Sequence, residues 1–287
     1  MEVRRLKVEE FQLVHEMDAK NVKEPESSAS ASPSGRIEII SMDPLEMELD
    51  FIGYDIAIIN AYRRITLAEV ATMAIEKVYM YNNTSIVQDE VLAHRLGLVP
   101  LKVDPRFFEF RNKDETEWGA QDSVKYELNV RCTKNQEAST NETNPDVLYV
   151  HRKGIGSDHA KFQPGMCWYR MLPEIELTRE VEGKQADLLQ TCFSPGVIDI
   201  VTTANGKRIA KIKDARNDSC SRNVFQHDSI KDAVKLTRKT DHIIFYIESH
   251  SALKSYEILE EAVKIMSTKC DMLLGEIEKH LETPMET

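Results

Sequence analysis

The segment whose spacing most suggests chemistry is Gly154-Ile155-Gly156-Ser157-Asp158-His159. Two glycines at this spacing begin the pattern of a dinucleotide-binding turn, in which glycine lets the backbone approach a pyrophosphate. The sixth position holds His159 where the pattern needs glycine or alanine, and no strand and helix patterns flank the segment. Gly206-Lys207 lacks the spaced upstream glycine of a phosphate-binding loop. Neither segment predicts a nucleotide site.

Side chains that could bind a metal or act as nucleophiles are scattered along the chain. The cysteines form no C-x-x-C pair and are predicted to be small buried hydrophobic residues: Cys132, Cys167, Cys192, Cys220 and Cys270. Four histidines have no cysteine or carboxylate at metal-ligand spacing: His94, His151, His159 and His242. The adjacent carboxylates Asp89 and Glu90 are typical of the first turn of a helix. The sequence therefore predicts no catalytic residue, no metal and no cofactor.

The charge balance bears on the class of partner. Lysine and arginine total 37 and aspartate and glutamate total 48, which gives a net charge of −11. Proteins that bind nucleic acid directly use a basic face to neutralise phosphates, so contact with DNA is expected only through partners. No apolar run approaches the ~20 residues that cross a bilayer, and the N-terminus lacks the apolar segment of a secretory signal. A cytosolic or nuclear protein without membrane contact is expected.

The chain begins with a predicted disordered leader, residues 1–35. Residues 19–35 are rich in serine, alanine, proline and glutamate and offer almost nothing to bury. Order is expected from Arg36. A strand is then predicted where apolar and acidic residues alternate, at Leu45, Met47, Leu49 and Phe51.

Helical and strand patterns follow that first strand. From Asp55 to Val70 apolar residues recur at three- and four-residue steps and predict a helix, with Arg63 and Arg64 off its apolar face. A short helix is predicted to end at Gly97. The clearest strand alternation runs from residue 123 to 132. Further strands are predicted at residues 77–81, 174–177, 208–212 and 243–247.

A long helix closes the chain, with Ser255 as its predicted N-cap. Its apolar stripe recurs at helical spacing: Leu259, Ala262, Met266, Cys270, Leu273, Ile277 and Leu281. At 1.5 Å per residue the helix is roughly 40 Å long, more than one small domain can cover. A core helix with a frayed end would account for part of the pattern, but the length favours a helix that binds a partner.

One block of the sequence is specific enough to suggest a family. Residues Ile59–Ile65, Ala68–Val70 and Tyr81–Leu101, the last reading YNNTSIVQDEVLAHRLGLVPL, resemble the alpha-like subunits of RNA polymerases. The resemblance is greatest to the larger alpha-like subunit shared by eukaryotic polymerases I and III, a relative of the third subunit of polymerase II and of the archaeal and bacterial alpha-type subunits. It continues through most of the ordered chain, at Lys153–Phe162, Tyr169–Pro173, Cys192–Val197 and Asp241–Ser249.

The resemblance implies an α+β fold. A dimerisation domain made from both ends of the chain, residues 36–71 plus 166–287, is expected to carry an inserted, mainly β domain at residues 72–165. The resemblance also implies a heterodimer with a smaller alpha-like subunit, and contacts with the second-largest subunit and with small zinc-bearing subunits. The implied partner interface is Ile58, Asn60, Tyr62, Arg63, Arg64, Ile65, Leu259, Met266, Leu273 and Ile277. The implied docking loop holds Gly154, Gly156, Asp158, His159, Lys161 and Phe162.

The chain departs from this family at one place. In relatives several dozen residues with additional strands separate the counterparts of Tyr149 and Lys153, whereas here three residues join them. The insert is therefore predicted to be truncated and to be the least stable part of the chain. Alternative splicing, a gene-model error and a lineage-specific loss all remain open as its origin.

The expected function is that of a non-catalytic scaffold of polymerases I and III in the nucleolus and nucleoplasm. It would support transcription of ribosomal, 5S and transfer RNA, with the active site in other subunits. An alternative is a truncated isoform that binds the smaller alpha-like subunit without supporting polymerase assembly.

Overall fold

A computed structural model describes most of the chain: residues 5–10, 12–15, 35–111, 119–129, 145–203 and 205–282. The helices of this part are α1 Ile56–Ala68, α2 Asp89–Gly97, α3 Lys184–Cys192 and α4 Ser255–Glu282. The strands are β1 Arg5–Val8, β2 Leu13–His15, β3 Arg36–Met42, β4 Glu46–Ile52, β5 Ala71–Asn83, β6 Ser123–Asn129, β7 Pro145–Ile155, β8 Gly165–Leu177, β9 Ile198–Thr202, β10 Arg208–Ile212 and β11 Val234–Ser249. Helices together with antiparallel sheets confirm the predicted α+β class.

The largest sheet has six strands. Its order is β2-β1-β11-β4-β3, and β8 also pairs with β11. Within β4 the predicted alternation is confirmed, because Met47, Leu49 and Phe51 are all buried. Leu45 lies just before β4 and is 63% exposed, so it does not belong to the buried face.

The predicted disordered leader is wrong for its first part. Strand β1 pairs antiparallel with β11, with Leu6 opposite Arg238, and β2 pairs with β1. These strands are four and three residues long, too short for their alternation to be recognised, and they are held by pairing with a strand far along the chain. Residues 16–34 of the predicted leader lie outside the described residues.

The chain divides into two compact units. The first comprises residues 1–40, 48–59 and 169–245. Its core gathers around α3 and the β9–β10 hairpin, with Val181, Leu189 and Val197 all fully buried. The second comprises residues 41–47, 60–168 and 246–287. These bounds cut the sequence differently from the predicted domains, which therefore stay a prediction.

The second unit contains a three-stranded antiparallel sheet of order β5-β7-β6. Residues 150–152, which directly join the two parts of the predicted insert, lie in the middle of β7. Val150 pairs with Lys77 on one side and with Lys125 on the other. The chain therefore passes the predicted point of shortening as an uninterrupted strand, not as a loop.

Two further predictions concern helix and strand ends. Helix α4 begins at Ser255, so the prediction that Ser255 is its N-cap is wrong. The Ser255 hydroxyl donates to the Asp43 carbonyl oxygen at 2.7 Å, while the Glu257 carboxylate accepts from the Lys254 backbone N–H at 2.8 Å. Lys254 therefore takes the N-cap position, with Glu257 as the acidic partner three residues on. The end of the predicted strand at residues 130–132 lies outside the described residues.

Candidate partner-binding site

Helix α4 changes character along its length. In its first turns Ile258 and Ala262 are fully buried, and the predicted contacts Leu259 and Met266 are half-buried. Beyond Met266 the apolar residues face solvent: Met272 59%, Leu273 65%, Leu274 57%, Ile277 54% and Leu281 80% exposed. We call these five residues the α4 stripe. An exposed apolar surface of this kind marks an interaction site on a soluble protein.

Helix α1 carries the other predicted interface residues. Ile58 is 45% exposed and Arg64 is exposed, so both can contact a partner. Asn60, Tyr62 and Arg63 are half-buried, and the Arg63 Nε–H donates to the Asn60 side-chain oxygen at 3.1 Å.

The prediction of Ile65 as a contact residue is corrected. Helix α1 buries Ile59 and Thr66, which are seven residues apart and therefore lie on one face. Ile65 adjoins that face and is only 5% exposed, so its side chain belongs to the core of this chain.

The ends of the two helices are joined within the second unit. The Lys269 ammonium of α4 forms an ion pair with the Glu69 carboxylate, directly after the last residue of α1. An ion pair between half-exposed groups adds little stability, but it fixes relative position.

The predicted docking loop is held tightly by its own chain. A Cβ on Gly154 would lie 2.7 Å from the Phe162 ring, and one on Gly156 would lie 2.2 Å from the Leu67 carbonyl oxygen. Phe162 is fully buried, and its carbonyl oxygen accepts from the Thr72 hydroxyl at 2.7 Å. The prediction that Gly154 and Phe162 contact a partner is corrected, because both residues are buried within the chain. Gly156 is half-buried, and its contact with a partner stays a prediction.

Lys161 is also engaged within the chain. Its ammonium donates to the Glu76 carboxylate at 2.6 Å and to the Ile75 carbonyl oxygen at 2.9 Å. Burial alone would raise the pKa of Glu76, but Lys161 and then Arg152 outweigh it, so the pKa falls below its usual value. Lys161 is half-buried, unlike Phe162, so its contact with a partner stays a prediction.

The tip of the loop remains available to a partner. Asp158 and His159 are exposed, and the Ser157 backbone N–H and hydroxyl both donate to the Ala68 carbonyl oxygen, at 2.9 and 3.0 Å. The His159 Nδ1 accepts from the Lys161 backbone N–H at 3.0 Å. The loop thus presents one carboxylate and one imidazole on a fixed backbone, and their contact with a partner stays a prediction.

Sequence reasoning missed a charged network in the first unit. The Arg216 guanidinium donates to both Asp50 oxygens at 2.7 and 2.8 Å and to Glu48 at 3.0 Å, while His242 Nε2 lies 2.7 Å from Asp50. Burial alone would raise the pKa of Asp50, but hydrogen bonds from Arg216 and His242 lower it overall. Arg170 donates to the carbonyl oxygens of Arg216 and Asp218. The sequence did offer one signal for this network, because Asp50 lies between Leu49 and Phe51, two apolar residues of the predicted strand.

Several other features can be stated for the described residues. Among them no group of three or more histidine, cysteine or carboxylate side chains could hold a metal. Cys167, Cys192, Cys220 and Cys270 are free thiols, and Cys132 lies outside the described part. Cys192 is buried as predicted, whereas Cys270 is exposed. Burial raises the pKa of Cys167 to about 12 and keeps this thiol protonated.

No described helix is long and apolar enough to cross a membrane.

Comparison with known proteins places this fold in a family. Residues 48–270 match the RNA polymerase Rpb3/Rpb11 dimerisation domain. Because the match spans most of the chain, the protein belongs to this family of RNA polymerase subunits.

Individual relatives narrow the similarity to one kind of subunit. The chain is 42% identical to DNA-directed RNA polymerases I and III subunit RPAC1 of Mus musculus and 40% identical to that of Homo sapiens, in each case over 85% of this chain and 84% of the relative. It is 36% identical to the same subunit of Saccharomyces cerevisiae, over 83% of this chain and 86% of the relative. These similarities confirm the resemblance to the larger alpha-like subunit.

The comparison also bears on the shortened insert. The alignment with the mouse subunit spans 293 positions, whereas 85% of this 287-residue chain is about 244 residues. The difference, 293 minus 244, leaves about 49 aligned positions without a residue in this chain. This surplus supports the predicted shortening by several dozen residues.

Proposed function

We propose that this chain is a non-catalytic assembly subunit of nuclear DNA-directed RNA polymerases I and III. It pairs with a smaller alpha-like subunit, and the pair gathers the large subunits that carry out nucleotide transfer. The observation that carries this proposal is the α4 stripe, five large apolar side chains that remain exposed on the last turns of α4. The first part of this helix, up to residue 270, lies inside the match to the dimerisation domain.

The physical basis of pairing is burial of that stripe. Covering an exposed leucine or isoleucine contributes about 1.5 to 3 kcal/mol, so several such residues offset the entropy lost on association. Ile58 and Arg64, which are exposed on α1, are proposed as further contacts of the smaller subunit. The pairing face is thus apolar on α4 and mixed on α1.

Docking onto the second-largest subunit is assigned to the polar groups. The Arg64 guanidinium is exposed, and a planar guanidinium suits carboxylates or backbone carbonyl oxygens of a neighbour. Asp158 and His159 at the tip of the docking loop form a second contact with the same subunit. The loop also helps to dock the small zinc-bearing subunits. DNA is reached only through the assembled enzyme, in keeping with the net charge of −11. The assembled enzymes make ribosomal, 5S and transfer RNA in the nucleolus and nucleoplasm.

A second candidate function follows from the shortened insert. The chain retains its dimerisation-family match but lacks about 49 positions present in the mouse relative. A form that binds the smaller subunit and then fails to recruit the second-largest subunit would sequester that partner. Adding the second-largest subunit to the purified pair distinguishes the two functions, because only the assembly subunit forms the three-chain complex.

The pairing surface is tested by Leu273→Asp. Because Leu273 is 65% exposed, the substitution leaves the free chain folded and places a charge in the buried interface. We expect affinity for the smaller subunit to fall about 100-fold, measured by titration calorimetry.

Thr268→Asp is the matched control, because it adds the same charge to the same helix at an exposed position about 140° around the helix axis from Leu273. Its affinity should stay within threefold of the wild type. Equal affinities for Leu273→Asp and the wild type would refute the assignment of α4.

A further inference from the structure

A groove in the second unit lies apart from the α4 stripe. It consists of two adjoining cavities of about 390 and 330 Å³ that share Leu101 and Lys102 as common walls. Leu45 and Ala252 line the first cavity, and Val99 and Tyr126 line the second. We call this surface the Lys102 groove.

The walls of the Lys102 groove are apolar and open to solvent. Leu45 is 63% exposed, Val99 48% and Tyr126 44%. The floor of the second cavity is formed by Ile75 and His151, which are 3% and 1% exposed. Burial lowers the pKa of His151 to about 4, so the floor carries no charge at neutral pH. The groove therefore offers apolar contact along both cavities.

Two lysines, Lys102 and Lys254, carry positive charge at the groove. The hydrogen bond to Tyr256, and more weakly the Glu257 carboxylate, raises the pKa of Lys254. Within the described part of the chain Lys102 forms no ion pair, and Lys254 donates to the Tyr256 hydroxyl at 2.9 Å instead of to a carboxylate side chain. The nearby carboxylates Asp104 and Glu257 are both bound to the Arg106 guanidinium, at 2.6 and 3.0 Å. Two exposed ammonium groups thus border an apolar groove, and among the described residues neither forms an ion pair with a carboxylate.

We propose that the Lys102 groove binds an extended segment of a partner protein in which apolar side chains alternate with carboxylates. Apolar side chains enter the two cavities, and carboxylates pair with Lys102 and Lys254. Charge complementarity favours carboxylates in this segment, because a basic segment would be repelled and a purely apolar one would leave the ammonium groups partly desolvated without a partner. This surface is separate from the pairing face and goes beyond the proposed function.

The test uses a defined probe and the full chain. A fluorescein-labelled ten-residue peptide of alternating leucine and aspartate is titrated with the protein, and binding is followed by fluorescence anisotropy. Peptides with lysine in place of aspartate, or serine in place of leucine, serve as probe controls. We expect the acidic apolar peptide to bind at least tenfold more tightly than either control, and to weaken as salt is raised.

Variants locate the site. Lys102→Glu should weaken binding of the acidic peptide at least tenfold. Lys125→Glu should change it less than twofold, because Lys125 is an exposed lysine of β6 that does not line the groove. Val99→Ser should weaken binding through lost apolar contact, and circular dichroism verifies folding of each variant.

Three results would overturn the proposal. The first is equal binding of the acidic and basic peptides. The second is unchanged binding by Lys102→Glu. The third is a self-associated chain that dissociates on Lys102→Glu, which would assign the groove to a second copy instead. Failure of the α4 stripe to bind the smaller subunit leaves these outcomes unaffected, so the two proposals fail independently.

Discussion

His151 shows how a single buried side chain sets a pH dependence. It lies in β7 opposite Ile75 and Val124, is 1% exposed and contacts the Tyr126 ring at 4.7 Å between centroids. Burial lowers its pKa to about 4, whereas an unfolded histidine titrates near 6.5. The unfolded state therefore binds the proton first. Stability from the neutral ring is complete above about pH 6.5 and is lost as the pH falls towards 4.

We expect His151→Gln to flatten this dependence. Between pH 7 and pH 4.5 the wild type should lose about 2 to 3 kcal/mol more unfolding free energy than the variant, measured by urea denaturation. His159→Gln, at an exposed position of the docking loop, should retain the wild-type slope. Identical slopes for the wild type and His151→Gln would show that this histidine is solvated in the folded chain.

Arg216 is the second residue with a large predicted effect. Its guanidinium occupies both oxygens of Asp50, whose side chain is 3% exposed. Removing one partner of a buried ion pair leaves the other charge uncompensated. We expect Arg216→Met to reduce the unfolding free energy by about 3 kcal/mol in urea denaturation.

The matched control for Arg216 is Arg208→Met. Arg208 also holds a carboxylate, Asp187 at 2.7 Å, but both side chains are about half exposed. Solvent screens that pair, so the cost should stay below about 1 kcal/mol. Equal costs for the two variants would contradict the buried character of the Asp50 network.

At the scale of elements, the two sheets are expected to differ in stability. In the three-stranded sheet both β5 and β6 are edge strands, and Tyr79, Tyr81 and Tyr126 are 43%, 76% and 44% exposed. Strand β11 lies inside the six-stranded sheet, where Ile243, Phe245 and Ile247 are buried. Local opening is easiest where few apolar contacts are buried.

Hydrogen exchange followed by mass spectrometry measures that difference. Peptides covering residues 77–83 and 123–129 should exchange at least tenfold faster than those covering residues 243–249. Uniform protection of both sheets would mean that the direct joining of β7 restored full stability to the shortened insert.

Sequence periodicity predicted the elements better than their exposure. The helix α4 could be predicted because apolar residues recur at helical spacing over seven positions, from Leu259 to Leu281. The burial of Ile65 could not be predicted from the sequence. Ile58 and Ile65 are seven residues apart and share one face of α1, and this spacing does not show that Ile65 is buried while Ile58 is exposed. Strands β1 and β2 were missed because pairing with β11, more than 200 residues later, creates them. Phe162 was placed in a docking surface because a motif does not show which of its members pack inward.

For the whole molecule, charge and composition excluded classes of function but did not identify the family. The net charge of −11 and the scattered cysteines argued against direct DNA binding and a metal site, and the motif block then indicated the family. The lysines at 231, 235 and 239 could have formed a basic strip. In the folded chain they face Asp228, Glu176 and Glu174, so no free positive surface results from these three described lysines. Such pairings depend on strand register, which the sequence does not reveal.

The proposed function requires that this chain form a heterodimer with a smaller alpha-like subunit. The most direct measurement is to co-express the two chains and determine the molar mass of the purified product by light scattering on a sizing column. We expect one peak whose mass is the sum of one copy of each chain. A monomeric or aggregated chain that leaves the smaller subunit unbound would contradict it.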